Sequence, residues 1–589
     1  MQSKFRFKNN TTISLSILGF ICIVFASQWI QARVDLTAEK RFSLHDATRQ
    51  MLTSIDTPVY ITILLDGDLP ADYQQLKQAT SDILSSFRNE NPSNIIVRFE
   101  KPGEGLPDSS RFYLYDSLRQ MGVAMEQDID AAANTDAATQ RIIFPAAILS
   151  YADKYPVAID LRSSRKIFRQ FNVVDEEPQE DKDATLNAAE ALLEYKFANA
   201  IDKLTTTHTP VVAYTIGNGE PIDLTINDLG ESLRNQYRLA IYDLSTTYPD
   251  PSVIDLLLVV KPTTAFSDEE KLKLDQYVMH GGKIIWYVDK LYAEIDSLMR
   301  SQADFVAYDR NLNLDDLFFK YGVRIQSDLL QDLNCSKLPV VIGQNPDGSA
   351  RMQRIPWAYY PFLQAPVPNA ISSNLDRVLS IFPSGMDKIN APGLAHTVLL
   401  STDTNSRRMN TPAIVSLNSV KDDDDLAAFN AAHIPVAMLV EGKFESLFAN
   451  RPTPAVQDSV RRNIHAPFLK MAEKPGQQIF CSDADLVTNV VSNTSGPLAM
   501  GELPLENYRF ANREFFLNCV DYLVSNAKIF ETRNKDFTLR VLNKQKVQEE
   551  KTLWQCINIG LPLMLLFIIT FLFKYRQQKK YTVGSSNKL

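Results

Sequence analysis

Cysteine and histidine are scarce in this sequence, at five and six among 589 residues. No C-x-x-C pair and no zinc-type spacing occurs, which argues against a structural zinc site or a dithiol redox centre. Cys22 and Cys556 fall in apolar end segments, leaving Cys335, Cys481 and Cys519 for the body. Three thiols in an oxidising compartment allow at most one bridge, and Cys481 with Cys519 is the pair expected. A basic excess is also missing. The net charge is −9, the pI is about 5.4, and the two signs are mixed along the chain, so nucleic acid is not an expected partner. There is no Walker A sequence, so any ATP hydrolysis must come from another chain. No internal repeat is found. What is present is an ordinary globular composition, 45% hydrophobic and 22% charged, with enough length for two to four domains.

Two long uncharged apolar runs stand near the ends. Residues 12–30 follow Lys4, Arg6 and Lys8, and residues 554–573 precede Lys574, Arg576, Lys579 and Lys580. Each is about the length of helix that spans a hydrocarbon core. A cleaved signal peptide would need a small-x-small site, which Ala26-Ser27-Gln28-Trp29 matches poorly, so an uncleaved anchor is the reading for the first run. Short basic flanks stay in the cytoplasm. The basic N-terminus 1–11 and the basic tail 574–589 are therefore expected inside and the body outside, with Arg33, Lys40 and Arg41 opposing mildly. Pro562 is open to two readings, a tolerated kink or a helix that mates with another membrane subunit.

Between the anchors the pattern is α/β. A helix after Ser43, with Asp46 at the capping-box position, opens a first domain over residues 31–205. Strand 58–65, helix 71–89 and strand 94–99 have the spacing of a βαβ unit. A helix at 111–120, a loose loop at 128–139, a hairpin of 142–150 with 157–161, an acidic stretch at 175–183 and a linking helix at 184–204 follow. A second domain, 206–530 with insertions, alternates strands 211–216, 239–244, 254–260 and 283–288 with helices 226–235 and 268–279. Ser267 with Glu270 forms a capping box and Gly281-Gly282 a stop. This predicts a doubly wound, flavodoxin-like parallel sheet, to which strand 478–481 and helix 513–524 return. Residues 407–426 are polar and read as a mobile stretch, and 531–553 as a stalk.

Six segments taken in order carry a family likeness: Arg33-Val-Asp-Leu-Thr-Ala-Glu-Lys-Arg-Phe-Ser-Leu44, Gly217-Asn-Gly-Glu220, Tyr277-Val-Met-His-Gly-Gly-Lys283, Asn313-Leu-Asp-Asp-Leu-Phe-Phe-Lys-Tyr-Gly-Val323, Asp328-Leu-Leu-Gln-Asp-Leu-Asn-Cys335 and Ile557-Asn-Ile-Gly-Leu-Pro-Leu563. With the two-anchor layout they resemble the GldG family, auxiliary proteins of a gliding-motility-associated ABC transporter. The resemblance implies a cytoplasmic ATPase and a polytopic permease as partners, an inner-membrane location with a periplasmic body, and a second domain similar to class I glutamine amidotransferases. ATP-driven movement of the permease would then shift the two anchors and with them the body. A glycan- or peptide-binding module tethered to the membrane without a transporter is the alternative.

An amidotransferase needs a cysteine on the tight turn after a strand, activated by histidine. Strand 283–288 is followed by Asp289-Lys290, and neither His433 nor His465 has a glutamate in the required pattern, so the domain reads as catalytically dead. No catalytic residue, cofactor or metal is expected. Gly217, Asn218, Gly219 and Glu220 stand at the carboxyl end of a strand, where α/β sheets bind ligands. The plain reading is a turn needing positive φ. On the functional one, Glu220 faces a ligand and Gly219→Val abolishes binding without unfolding. Asp66-Gly67-Asp68 and Asp422 to Asp425 lack the other ligands of a calcium loop and read as a solvated turn and a charge run.

Overall fold

The computed structural model describes residues 43–582, apart from 124, 130–139, 164–181, 235, 295–303, 345–349, 418–422, 451–452, 493, 495, 505–507, 526 and 535–543. The chain divides into two compact units, Met1–Phe537 and Thr538–Leu589. The expected first membrane span, the acidic 175–181 and most of the 128–139 loop lie outside the described residues.

The βαβ unit is present in the first unit. Strands β1 (Val59–Ile63) and β2 (Ile95–Phe99) pair in parallel across helix α1 (Ala71–Glu90). Leu76, Thr80, Leu84 and Phe87 give α1 a buried stripe at three- and four-residue spacing. Strand β3 (Ala146–Tyr151) joins β1 antiparallel and β4 (Val157–Asp160) closes the sheet, in the order β2-β1-β3-β4. The capping expectation is corrected. The first described helix starts at Asp46 and its N-cap is His45, whose Nδ1 accepts from Ala47 N. His45 is held by its own N–H donating to Glu194 at 2.7 Å.

Helix α2 (Lys182–Thr205) supplies Leu186, Ala189, Leu193, Phe197, Ile201 and Leu204 to the core under this sheet, while Tyr195 enters the core of the next. A helix buried on both sides has no polar stripe, so its sequence reads as a linker.

The second sheet has seven strands. In chain order these are β5 (Val211–Ile216), β6 (Arg238–Asp243), β7 (Leu256–Val260), β8 (Ile284–Tyr287), β9 (Leu394–Ser401), β10 (Pro435–Gly442) and β11 (Gly476–Cys481), arranged β9-β10-β11-β8-β7-β5-β6. From β11 to β6 all neighbours are parallel, whereas β10 and β9 run antiparallel at one edge. Every residue of Leu-Leu-Leu-Val-Val in β7 is buried, as expected of a strand covered on both faces. Alternate residues serve opposite cores. Leu256, Leu258, Val260, Ile285 and Tyr287 pack with helices α3 (Asn227–Arg234) and α5 (Asn512–Val524). Leu257, Val259, Ile284 and Trp286 pack with α4 (Asp268–Met279). The capping box of α4 is formed, with Ser267 and Glu270 bonded reciprocally.

Two further expectations are corrected. The first part of the polar 407–426 stretch is in strands, Ser406–Asn410 pairing with Asp328–Asp332 and Ala413–Val415 with Phe305–Asp309, while 418–422 lie outside the described residues. Arg408 is answered across the ladder by Asp328 at 2.9 Å and from the strand Met386–Lys388 by Asp387 at 3.2 Å. The Cys481–Cys519 bridge is not formed. Both cysteines are free and fully buried. Burial pushes both thiols well up, and protonated they serve as small apolar members of one core.

In the second unit, helix α6 (Lys544–Thr582) is 39 residues long with Pro562 inside it. Its stretch Glu550–Arg576 is long and apolar enough to cross a membrane. The last part of the expected stalk is thus the first turns of this same helix.

Candidate functional site

The carboxyl ends of the parallel strands meet where connections leave β5 and β7 in opposite directions, the position at which open α/β sheets bind ligands. Glycine is required in the loop after β5: Gly217 has φ 123° and Gly219 φ 78°. Asn218 O accepts from Thr263 N and Thr264 N at 2.9 Å each, and Gly219 O from Thr263 Oγ1 at 3.0 Å. Glu220 turns inward. It is 7% exposed, and its carboxylate accepts from Asn218 N at 2.7 Å and Thr215 Oγ1 at 3.2 Å, with burial raising its pKa. Asn218 Nδ2 donates to Glu270 of the α4 cap at 3.3 Å. Of the four residues singled out in the sequence, Gly219 alone lines the adjoining cavity.

A Cβ on Gly219 would stand 2.1 Å from Thr263 Oγ1, at a backbone angle that side chains rarely adopt. Gly219→Val is therefore expected to cost about 1–3 kcal/mol of stability, seen as a lowered melting temperature. An unchanged melting curve would show that the loop has slack.

The cavity has a volume of about 490 Å3 and is bordered by Lys261, Thr263, Glu294, Tyr360, Asp485 and Asn489 among others. Lys261 follows the last residue of β7 in a left-handed conformation, φ 50°, pinned by its N–H to Tyr287 O at 2.8 Å. Its ammonium lies 2.7 Å from Asp485 and 3.4 Å from both Asp289 and Glu294. Burial opposes that charge, but the three carboxylates outweigh it and hold the lysine protonated well above its usual range. Burial raises Asp289 to about 6, with Lys261 opposing and Asp485 adding. Asp483, deeper still, is raised by burial and by its carboxylate neighbours. A lysine held cationic in this way is a poor nucleophile or base at neutral pH. No group of three or more His, Cys, Asp or Glu placed to hold a metal ion occurs among the described residues. Asp66 is a turn residue, bonded to Gly67 N at 2.8 Å and Lys77 at 2.6 Å, and Asp423–Ala427 is a short helix.

Sequence reasoning passed over Lys261, Asp289 and Asp485. The available signal was positional, since each lies within a few residues of the carboxyl end of a buried apolar strand. A larger cleft of about 900 Å3 lies beside α2, and several of its charges are held by neighbours within the protein. Arg162 meets Asp160 at 2.7 Å. Lys196, which burial pulls down to about 8, donates to the carbonyls of Asp160 and Arg162.

A family model described as an ABC-type uncharacterized transport system matches residues 209–519, just over half of the chain. The chain belongs to this transport-system family. A second model, a domain of unknown function, covers residues 38–150 of this family member. No curated protein matches it. Among solved structures, the mmIFT52 N-terminal domain is 10% identical over 54% of this chain and 98% of its own, with a TM-score of 0.30. A putative ThuA-like protein from Parabacteroides merdae is 9% identical over 54% and 90%, TM-score 0.26. The exo-β-1,4-mannosidase Op5Man5 from an Opitutaceae bacterium is 10% identical over 50% and 34%, TM-score 0.20.

Proposed function

We propose that this protein is a non-catalytic subunit of an ABC-type transporter complex, anchored in the inner membrane with both termini cytoplasmic and its α/β body in the periplasm. Membership of the transport-system family carries the reading. The apolar helix Glu550–Arg576 supports the membrane placement, and the lack of a Walker A sequence assigns ATP hydrolysis to a partner. The parallel order β6-β5-β7-β8-β11 supports a flavodoxin-like, amidotransferase-like body. The resemblance to GldG makes gliding motility the finer physiological reading. In this proposal a polytopic permease and a cytoplasmic ATPase are the partners, and the body scaffolds or gates substrate.

The test is purification in mild detergent through a tag after Leu589, with mass spectrometry of what accompanies the protein. Near-stoichiometric recovery of a permease and an ATPase is the expected result. Recovery of the intact protein alone would overturn the proposal in favour of a tethered binding module.

A further inference from the structure

Helix α6 carries polar groups that it does not satisfy itself. Besides Cys556, the uncharged run 554–573 holds four side chains with polar atoms, those of Trp554, Gln555, Asn558 and Thr570. Two are answered within the helix. Trp554 Nε1 donates to Glu550 at 3.1 Å, and Thr570 Oγ1 donates to Leu566 O at 2.7 Å. The carboxamides of Gln555 and Asn558 are exposed and make no hydrogen bond among the described residues. Pro562 adds a third open group. A helical residue donates its N–H to the carbonyl four positions back, and proline has no N–H, so Asn558 O loses its donor.

These groups are on one face, since 555, 558 and 562 are three and four positions apart. At the helical rise, Asn558 lies about 6 Å and Pro562 about 12 Å into a run about 30 Å long. Hydrocarbon offers neither donor nor acceptor at that depth, so the face calls for another helix. A carboxamide donates and accepts at once. Two copies of α6 inserted in the same direction therefore bring Asn558 to Asn558 and Gln555 to Gln555 at equal depth across a two-fold axis. An unlike helix would have to carry matching groups at this level, whereas a second copy has them by symmetry. Lys551, one turn earlier on the same face, precedes the uncharged run, where water and salt screen two like charges.

We infer that α6 docks on α6 of a second copy of this chain through the face of Gln555, Asn558 and Pro562. Each Asn558 carboxamide donates to that of the other copy, and a remaining amide N–H serves the carbonyl that Pro562 frees. The inference deepens the membrane-subunit reading and rests on α6 crossing a bilayer.

The test uses the purified full chain, labelled with donor or acceptor dye on a tag after Leu589 and reconstituted into phosphatidylcholine vesicles at falling protein-to-lipid ratios. Energy transfer that survives dilution, and varies with acceptor fraction as two copies require, is expected. Asn558→Leu makes the span more apolar and so preserves insertion; it should weaken association about tenfold, two interhelical hydrogen bonds being lost by symmetry. In a chain with Cys22→Ser and Cys556→Ser, Gln555→Cys should cross-link on oxidation, and Leu553→Cys, on the opposite face, should not. Energy transfer no greater than random encounter would overturn the assignment and give the face to a helix of a different subunit. Undiminished association of Asn558→Leu, or equal cross-linking at 553 and 555, would also overturn it. Release of the chain from the vesicles by alkaline carbonate would be a separate failure, that of the membrane-spanning reading itself.

Discussion

A chain carrying Asp521→Ala is expected to lose about 3–5 kcal/mol where α2 meets α5, the cost of stranding a buried partner charge. Asp521 is 5% exposed. It accepts from Lys203 Nζ at 2.7 Å, Asn199 Nδ2 at 3.1 Å and Tyr195 Oη at 3.3 Å, all on α2, and from Tyr237 Oη. Without the carboxylate, Lys203 keeps the hydrogen bond to Gln236 at 2.6 Å and its place over the Tyr237 ring, with no anion, and two tyrosine hydroxyls lose an acceptor. A protein with several cores does not unfold in one step, so the readout is hydrogen exchange by segment. Amides of α2 and α5 should exchange faster together, while those of β1 and β2 keep their protection. Unchanged exchange in α2 would mean that apolar packing alone secures the junction.

Trp286→Ala should be comparably severe, at about 3–5 kcal/mol. Trp286 is fully buried in β8. Phe318 meets its ring edge-on at 5.0 Å and Phe480 lies parallel to it at 6.3 Å, while its Nε1 donates to Gln478 at 2.9 Å. The truncation opens a cavity between β8, β11 and the α4 side of the sheet and also removes the acceptor's partner from a fully buried glutamine. The melting temperature and the near-ultraviolet circular dichroism should both fall markedly, with Trp286→Phe intermediate. If the alanine variant melted like the parent, the aromatic stack would not be a stabilising element.

The parallel strands were legible because they are short, apolar on both faces and bounded by turn residues. Val211–Ile216, Leu256–Val260 and Ile284–Tyr287 lie within a residue or two of their expected positions. The paired strand at Ser406–Asn410 was hidden because its arginines look like loop residues until Asp328 and Gln331 stand opposite them. Its partner lies about eighty positions away. The same separation conceals the site. Lys261 and Asp485 are 224 positions apart, and no local spacing encodes an ion pair assembled by sheet topology. In Gly217-Asn218-Gly219-Glu220 the need for positive φ was readable. The inward turn of the Glu220 carboxylate, onto Asn218 N and the Thr215 hydroxyl near the end of β5, was not.

Helix α2 sets a limit on how this protein can be cut. The transport-system match begins at residue 209, just beyond Thr205 where α2 ends. A fragment excised at that border would keep Asp521 and Tyr237 but lose Tyr195, Asn199 and Lys203. It would also uncover the face of Phe530 on which the Tyr195 ring rests, edge-on at 5.5 Å. The border at which sequence likeness stops is therefore not a border at which the molecule comes apart, and the smallest autonomous piece containing the second sheet starts at least one helix earlier.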